Sequence, residues 1–214
     1  MNCIVTAGPT FESLDDVRRL TNFSTGRLGT ELANYLTAQG HQVTLLIGES
    51  ATYPGERQAQ SVKVFSTTAD LCSRLKALSR RQVDVIFHAA AVSDFGFGHI
   101  FVEQAADEFV ALKAAKKIST RRGRLLVELV PTPKIIASLR GWFPKTWIVG
   151  WKYEADGGRA DALRAAKKQL LDCKTDACVA NGPAYGKGFS LVLPKSQKHF
   201  AQSNQLFAAL AKLR

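Results

Sequence analysis

Short apolar runs alternate with stretches of helical periodicity along almost the whole chain, and this alternation constrains the fold more than any other feature. Residues 2–7 read as a buried strand, and residues 26–39 as a helix with Leu28, Leu32, Tyr35 and Leu36 on one face, closed by Gly40. Residues 43–47 form a near-continuous apolar strand of the kind covered on both faces, followed by a helix over 69–81 and a strand over 83–88. Further strands are predicted at 125–130, 147–152, 177–180 and 189–193, and further helices at 133–139, opened by Pro133, at 159–171 and at 203–213. The rhythm predicts one α/β domain over 1–214: a Rossmann-like, mostly parallel sheet with helices on both faces. Residues 98–123 break it. They are expected either as a flap or arm leaving the sheet or, more plainly, as a surface helix over 102–117.

The chain has 214 residues, 46% of them hydrophobic, which is enough for a substantial core. No apolar run reaches the roughly 20 residues needed to cross a bilayer, and the start MNCIVTAGPT lacks the pattern of a secretory leader, so a cytoplasmic location is expected. Cys3, Cys72, Cys173 and Cys178 have no metal-ligand spacing and read as reduced, mostly buried thiols. No protein-held metal is expected. A formal charge of +11 implies attraction to anions. The basic clusters at 113–124 and 164–174 carry no interleaved aromatics and no nucleic-acid reading motif. A phosphorylated small molecule therefore explains the charge better than nucleic acid does.

Gly26-Arg27-Leu28-Gly29, running into a helix, resembles half of a dinucleotide fingerprint. Such a fingerprint follows its strand directly, because the pyrophosphate meets the helix N-terminus at the strand's carboxyl end. Here seventeen residues separate Gly8 from Gly26. A short-chain dehydrogenase, the NAD(P)-binding alternative, needs a Tyr with a Lys four positions later. Four positions after Tyr35, Tyr53, Tyr153 and Tyr185 stand Gln39, Arg57, Gly157 and Phe189. What survives is an anion site: a helix start whose backbone N–H groups and positive dipole end are approachable because of the glycines. Ser24 reads equally as an ordinary N-cap.

Four blocks, in order, resemble phosphopantothenoylcysteine synthetase, also called phosphopantothenate–cysteine ligase, of coenzyme A biosynthesis. They are VTAGPT with DDVRRLTNFSTGRLG, then AAAVSDF, then VGWKYEAD, then CVAN, and they span almost the whole chain. The resemblance implies a ligase that activates the phosphopantothenate carboxylate with a nucleoside triphosphate, CTP or ATP, together with Mg2+. The resulting acyl-nucleotidylate then forms an amide with cysteine. It implies a homodimer with shared active sites, standing without the decarboxylase that often precedes this domain.

Residue by residue, the resemblance implies that Gly8, Ser24, Gly26 and Gly29 surround the triphosphate, with Trp151, Lys168 and Asn181 beside the nucleotide. Ala90, Ala91 and Asp94 would line the phosphopantothenate side, Asp94 also meeting the nucleotide. Asn22 would hold the acyl intermediate, and Arg18 would reach the substrate phosphate of a neighbouring subunit. Lys117 would act on the triphosphate, with Lys116 and Lys113 as alternatives, since ungapped alignment puts Ala114 at the family's lysine. Bland readings stand beside these: Asn22 and Asp94 as turn formers, Trp151 as core, Arg18 as a solvated surface charge.

Two departures matter. Bacterial members carry nucleotide-binding lysines at the positions of Gln169 and Cys173, and Lys168 and Lys174 are each one residue away. One residue along a helix turns a side chain by about 100°. The alternative to an active ligase is a catalytically impaired paralogue that binds nucleotide.

Overall fold

The computed structural model describes residues 1–105, 108–112, 116–119, 121 and 123–213. In chain order the elements are β1 (Asn2–Ala7), β2 (Phe11–Ser13), β3 (Arg19–Thr21), α1 (Arg27–Ala38), β4 (Gln42–Gly48), β5 (Ser61–Phe65), α2 (Thr68–Leu78), β6 (Val85–His88), β7 (Phe95–Ala105), β8 (Glu108–Ala111) and β9 (Leu125–Pro131). They continue with α3 (Ile135–Trp142), β10 (Trp147–Tyr153), α4 (Arg159–Cys173), β11 (Ala177–Asn181), β12 (Phe189–Val192), β13 (Gln197–Phe200) and α5 (Ser203–Leu210).

The central sheet has the order β13-β12-β11-β10-β6-β1-β4-β5, parallel from β11 to β5, with β12 and β13 antiparallel at the edge. Numbered along the chain, the parallel strands run 3-2-1-4-5-6 across the sheet, the order of dinucleotide-binding folds. The order reverses between β1 and β6, so a crevice opens there at the carboxyl ends. Successive strand residues point to opposite faces. Val5, Leu45, Phe87 and Val149 therefore pack under Leu32 and Leu36 of α1 and Leu206 of α5. Ile4, Leu46, Ile86 and Ile148 pack under Leu71 and Leu75 of α2 and Leu139 of α3. Both faces are covered, as the unbroken apolar strands require.

Gly40, at φ 80°, ends α1 as expected: its N–H donates to the Thr37 carbonyl, and the His41 N–H to that of Leu36. Two expectations are corrected. The third helix begins at Ile135 rather than Pro133. The arm expected at 98–123 is present, and the described residues of 102–117 lie in strands and turns rather than in the alternative helix. β7 pairs antiparallel with β8 on one side and β9 on the other, as a three-stranded arm outside the main sheet. The Phe-Gly-Phe start of β7 and its later Ile100, Phe101 and Val102 suit a pleated surface, and pairing with β9 outweighs local helical spacing.

Candidate functional site at the carboxyl edge of the sheet

Gly8 and Gly26 have φ of 77° and 81°, the left-handed region that favours glycine. A Cβ built on Gly26 would lie 3.3 Å from the Gly8 Cα and 3.0 Å from the Ile47 side chain. The two glycines therefore touch although seventeen residues lie between them, because the β2–β3 hairpin leaves and returns at one point. A Cβ on Gly29 would meet the Ala7 Cβ at 2.5 Å, so this glycine lets α1 lie directly on β1. The N-cap of α1 is Gly26, which has no side chain to cap with, and the hydroxyl that reaches the first turn is that of Thr25, accepting from the Arg27 N–H at 3.3 Å. Ser24 is thus not the cap, and among the described residues its hydroxyl makes no hydrogen bond. First-turn N–H groups of a helix lack intrahelical partners. Here they open beside Gly8.

At the reversal of strand order, the Asn22 side-chain N–H donates to the Ala91 carbonyl at 3.1 Å. The Ala91 N–H donates to the Gly8 carbonyl at 3.0 Å, and the Thr10 N–H to the Ala91 carbonyl at 3.1 Å. Buried hydroxyls hold this turn from below. Thr6 Oγ1 accepts from the Ala90 N–H at 3.1 Å and lies 2.9 Å from His88 Nδ1. Thr10 Oγ1 accepts from the Ser93 N–H at 2.8 Å. Burial pushes His88 down to about 4, so its ring is neutral near pH 7. Thr6, Thr10 and His88 were not foreseen. For Thr6 and His88 the signal is a polar residue at the end of an otherwise apolar buried strand; Thr10, beyond β1, carries no such signal. Asp94 is exposed, and among the described residues its carboxylate has no partner.

Trp151, two residues before the end of β10, and Asn181, the last residue of β11, share one face, set by the parallel register of Trp151 with Val179 and Tyr153 with Asn181. Trp151 packs against the core cluster that Leu28 also joins. Trp151 Nε1 and Asn181 Oδ1 are both buried and have no hydrogen-bond partner among the described residues. Each such atom costs about 1–3 kcal/mol. One donor and one acceptor left open on the same face of adjacent strands fit a polar ligand. Lys168 is not brought to this edge: it faces outward on α4 and pairs with Asp172 at 3.0 Å. Gln169 faces the sheet over Gly150, its Nε2 3.2 Å from Cys178 Sγ. Cys173 is also buried, so the inward positions of α4 carry no charge. Lys152, not singled out from sequence, stands near the end of β10 with Glu154 at 3.1 Å.

Arg18 lies in the β2–β3 loop, bound to Asp15 and to the Ile118 carbonyl. Lys116 and Lys117 are exposed beside buried Ile118. Lys113 and Ala114 lie outside the described residues. Among those described, no group of three His, Cys, Asp or Glu side chains could hold a metal. All four cysteines are free thiols, and burial raises Cys178 to about 12.

The family model described as DNA/pantothenate metabolism flavoprotein C-terminal domain matches residues 1–205. The chain is 34% identical over 180 residues to the coenzyme A biosynthesis bifunctional protein CoaBC of Thermococcus kodakarensis, covering 83% of this chain and 40% of that protein. It is 31% identical over 169 residues to a cysteine/cysteine sulfinic acid decarboxylase from an unknown prokaryotic organism, covering 78% and 43%. The chain thus spans about two fifths of the length of these curated relatives. The crystal structure of the DNA/pantothenate metabolism flavoprotein from Streptococcus pneumoniae superposes with a TM-score of 0.84 at 25% identity, covering 98% of this chain and 96% of that one.

Proposed function

The chain belongs to the DNA/pantothenate metabolism flavoprotein C-terminal domain family, and from that premise we propose that it is a phosphopantothenate–cysteine ligase of coenzyme A biosynthesis. Two relatives carry different names, so the site's residues must decide between activities. The observation that carries this reading is the bond from Asn22 to Ala91 at the reversal of strand order, beside the Gly8–Gly26 contact. It joins an amide suited to an acyl group to a helix start suited to a polyphosphate.

In the proposed reaction, a carboxylate oxygen of phosphopantothenate attacks the α-phosphorus of a magnesium nucleoside triphosphate, and pyrophosphate leaves. The cysteine amine then attacks the acyl carbon, loses a proton, and the nucleoside monophosphate departs. Such chemistry needs anions held in line and developing charge neutralised. The first-turn N–H groups of α1 and the ammonium of Lys117 supply donors for phosphate oxygens. One Asn22 amide hydrogen is used on Ala91, which fixes the group, and the second is available for the acyl oxygen. Small Ala90 and Ala91 leave room for an extended pantothenate arm, with Asp94 at its edge. Trp151 Nε1 and Asn181 Oδ1 offer the nucleotide a donor and an acceptor. Magnesium enters as part of the nucleotide, since the described residues offer no cage for it.

A homodimer belongs to this reading. Its support is the apolar surface of the arm, where Phe95, Leu126 and Leu129 are about half exposed (47%, 52% and 50%), and fully exposed Phe23 next to Asn22. Arg18 would serve the neighbouring subunit's substrate phosphate, and sedimentation at micromolar concentration tests the pairing.

The second reading is a nucleotide-binding protein without ligase activity, favoured by the outward Lys168 and the uncharged inner face of α4. Incubation with phosphopantothenate, cysteine, magnesium and each nucleoside triphosphate in turn separates the two. Pyrophosphate and the amide product appear with at least one nucleotide if the ligase reading holds. Nucleotide binding with no pyrophosphate from any of them supports the second.

A further inference from the structure

The loop joining β2 to β3 is tied to the arm through one carboxylate. Asp15 Oδ1 accepts from the N–H groups of Val17 at 3.0 Å and Arg18 at 2.8 Å, forming the local turn. Asp15 Oδ2 accepts from Arg18 Nε at 3.1 Å and from the Ile118 N–H at 3.1 Å. Arg18 Nη2 bonds the same oxygen at 2.5 Å and donates to the Ile118 carbonyl at 2.8 Å. Both backbone groups of Ile118 are thus held by one ion pair, and the Asp16 N–H donates to the Lys116 carbonyl at 2.9 Å. Ile118 is 3% exposed, whereas Lys116 and Lys117 project outward.

We infer that Asp15 is a positioning residue: its Oδ2, with Arg18, seats the turn at residues 116–118 on the β2–β3 loop and so sets where Lys117 stands relative to Asn22. The inference rests on the ligase reading for the task given to Lys117, but the seating itself does not. Asn22 follows β3 directly, so the hairpin that carries the acyl-holding amide also carries the bracket for the lysine. The carboxyl of Asp15 is held well below the usual range, first by its bond to Arg18 and then by that to Ile118. The bracket therefore stays ionised throughout the neutral range. The division of labour between the two oxygens gives a selective test. In Asp15→Asn, Oδ1 still closes the local turn, but an N–H group replaces the oxygen that faces three N–H donors.

Amide exchange on the 214-residue chain reads the seating. In Asp15→Asn the Ile118 amide is expected to exchange at least about tenfold faster, with the melting temperature nearly unchanged. Pyrophosphate release from phosphopantothenate and nucleotide reads the consequence. Asp15→Asn and Lys117→Gln are each expected to lower it by about 10²-fold, mainly in kcat, and the double variant to be no slower than Lys117→Gln alone. Ile118→Pro removes the N–H from the arm's side, leaves the Asp15 turn intact, and is expected to give the same loss. Unchanged exchange in Asp15→Asn overturns the seating, and multiplying losses in the double variant overturn the positioning of Lys117. A wild-type protein that releases no pyrophosphate with any nucleotide fails the ligase reading, and with it the catalytic role of Lys117, while the exchange measurement still judges the bracket.

Discussion

The Asn22 side chain donates to the Ala91 carbonyl across sixty-nine positions of sequence, at 3.1 Å. This bond links the hairpin inserted after β1 to the turn after β6, and both flank the reversal of strand order. Removing it is expected to separate the two halves of the reaction. Asn22→Ala should keep pyrophosphate formation within a few-fold of wild type while amide formation falls by roughly 10²-fold, the scale of losing one oriented donor at a developing oxyanion. Quenched-flow sampling of acyl-nucleotidylate and product measures both steps, and an unchanged amide rate refutes the role of Asn22.

Gly29 tests how tightly the helix must lie on the sheet. In Gly29→Ala the new methyl carbon meets the Ala7 Cβ at 2.5 Å and the Thr6 carbonyl at 3.1 Å, both on β1. Overpacking of this kind costs about 1–3 kcal/mol. Urea denaturation is expected to show a lower midpoint with the same slope, and calorimetric titration to show weaker nucleotide binding as the first turn of α1 is pushed off Gly8.

Trp151 carries a buried donor with no hydrogen-bond partner among the described residues. Trp151→Phe removes the unsatisfied N–H and keeps an aromatic ring in the core. Its stability is expected to stay within about 1 kcal/mol of wild type, because lost packing and relieved desolvation oppose each other. Nucleotide affinity is expected to fall, by an amount that titration of each nucleotide reads directly. Equal affinity in the two proteins removes the indole N–H from the site.

His88 makes stability depend on pH in a definite direction. Its folded value is depressed from 6.5 to about 4, so the unfolded chain takes up a proton that the folded chain refuses. Stability contributed by the neutral ring is fully present above about 6.5 and is lost as pH falls toward 4. The loss is on the order of 3 kcal/mol. Unfolding midpoints measured from pH 7.5 to 4 are expected to fall along this slope, and His88→Gln to flatten it.

Much of this architecture was readable because it is local. The strand at Asn2–Ala7, the helix closed by Gly40 and the buried strands at β4 and β6 follow from apolar spacing within a dozen residues. β5 was missed because Val62 and Val64 face outward on an edge strand, leaving only Phe65 fully buried. The arm was legible only as a break in the rhythm; its strands were not, because β7, β8 and β9 hold one another through pairings that no short window contains. At the site, the glycines, Asn22 and the AAAVSD turn were visible as motifs, but the threonines beneath them were not. Thr6 and Thr10 matter only because β6 lies next to β1. Lys168, expected beside the nucleotide, instead points outward and pairs with Asp172, because one residue along α4 turns it away from the inner face that Gln169 occupies.

The contact between Gly8 and Gly26 also bears on design. An excursion that departs from and returns to a single point leaves the frame behind it indifferent to its length. Its interior is not so free: residues 9–25 are stitched to the turn after β6 through Asn22 and Thr10 and to the arm through Asp15 and Arg18, so a transplanted hairpin must bring those partners with it.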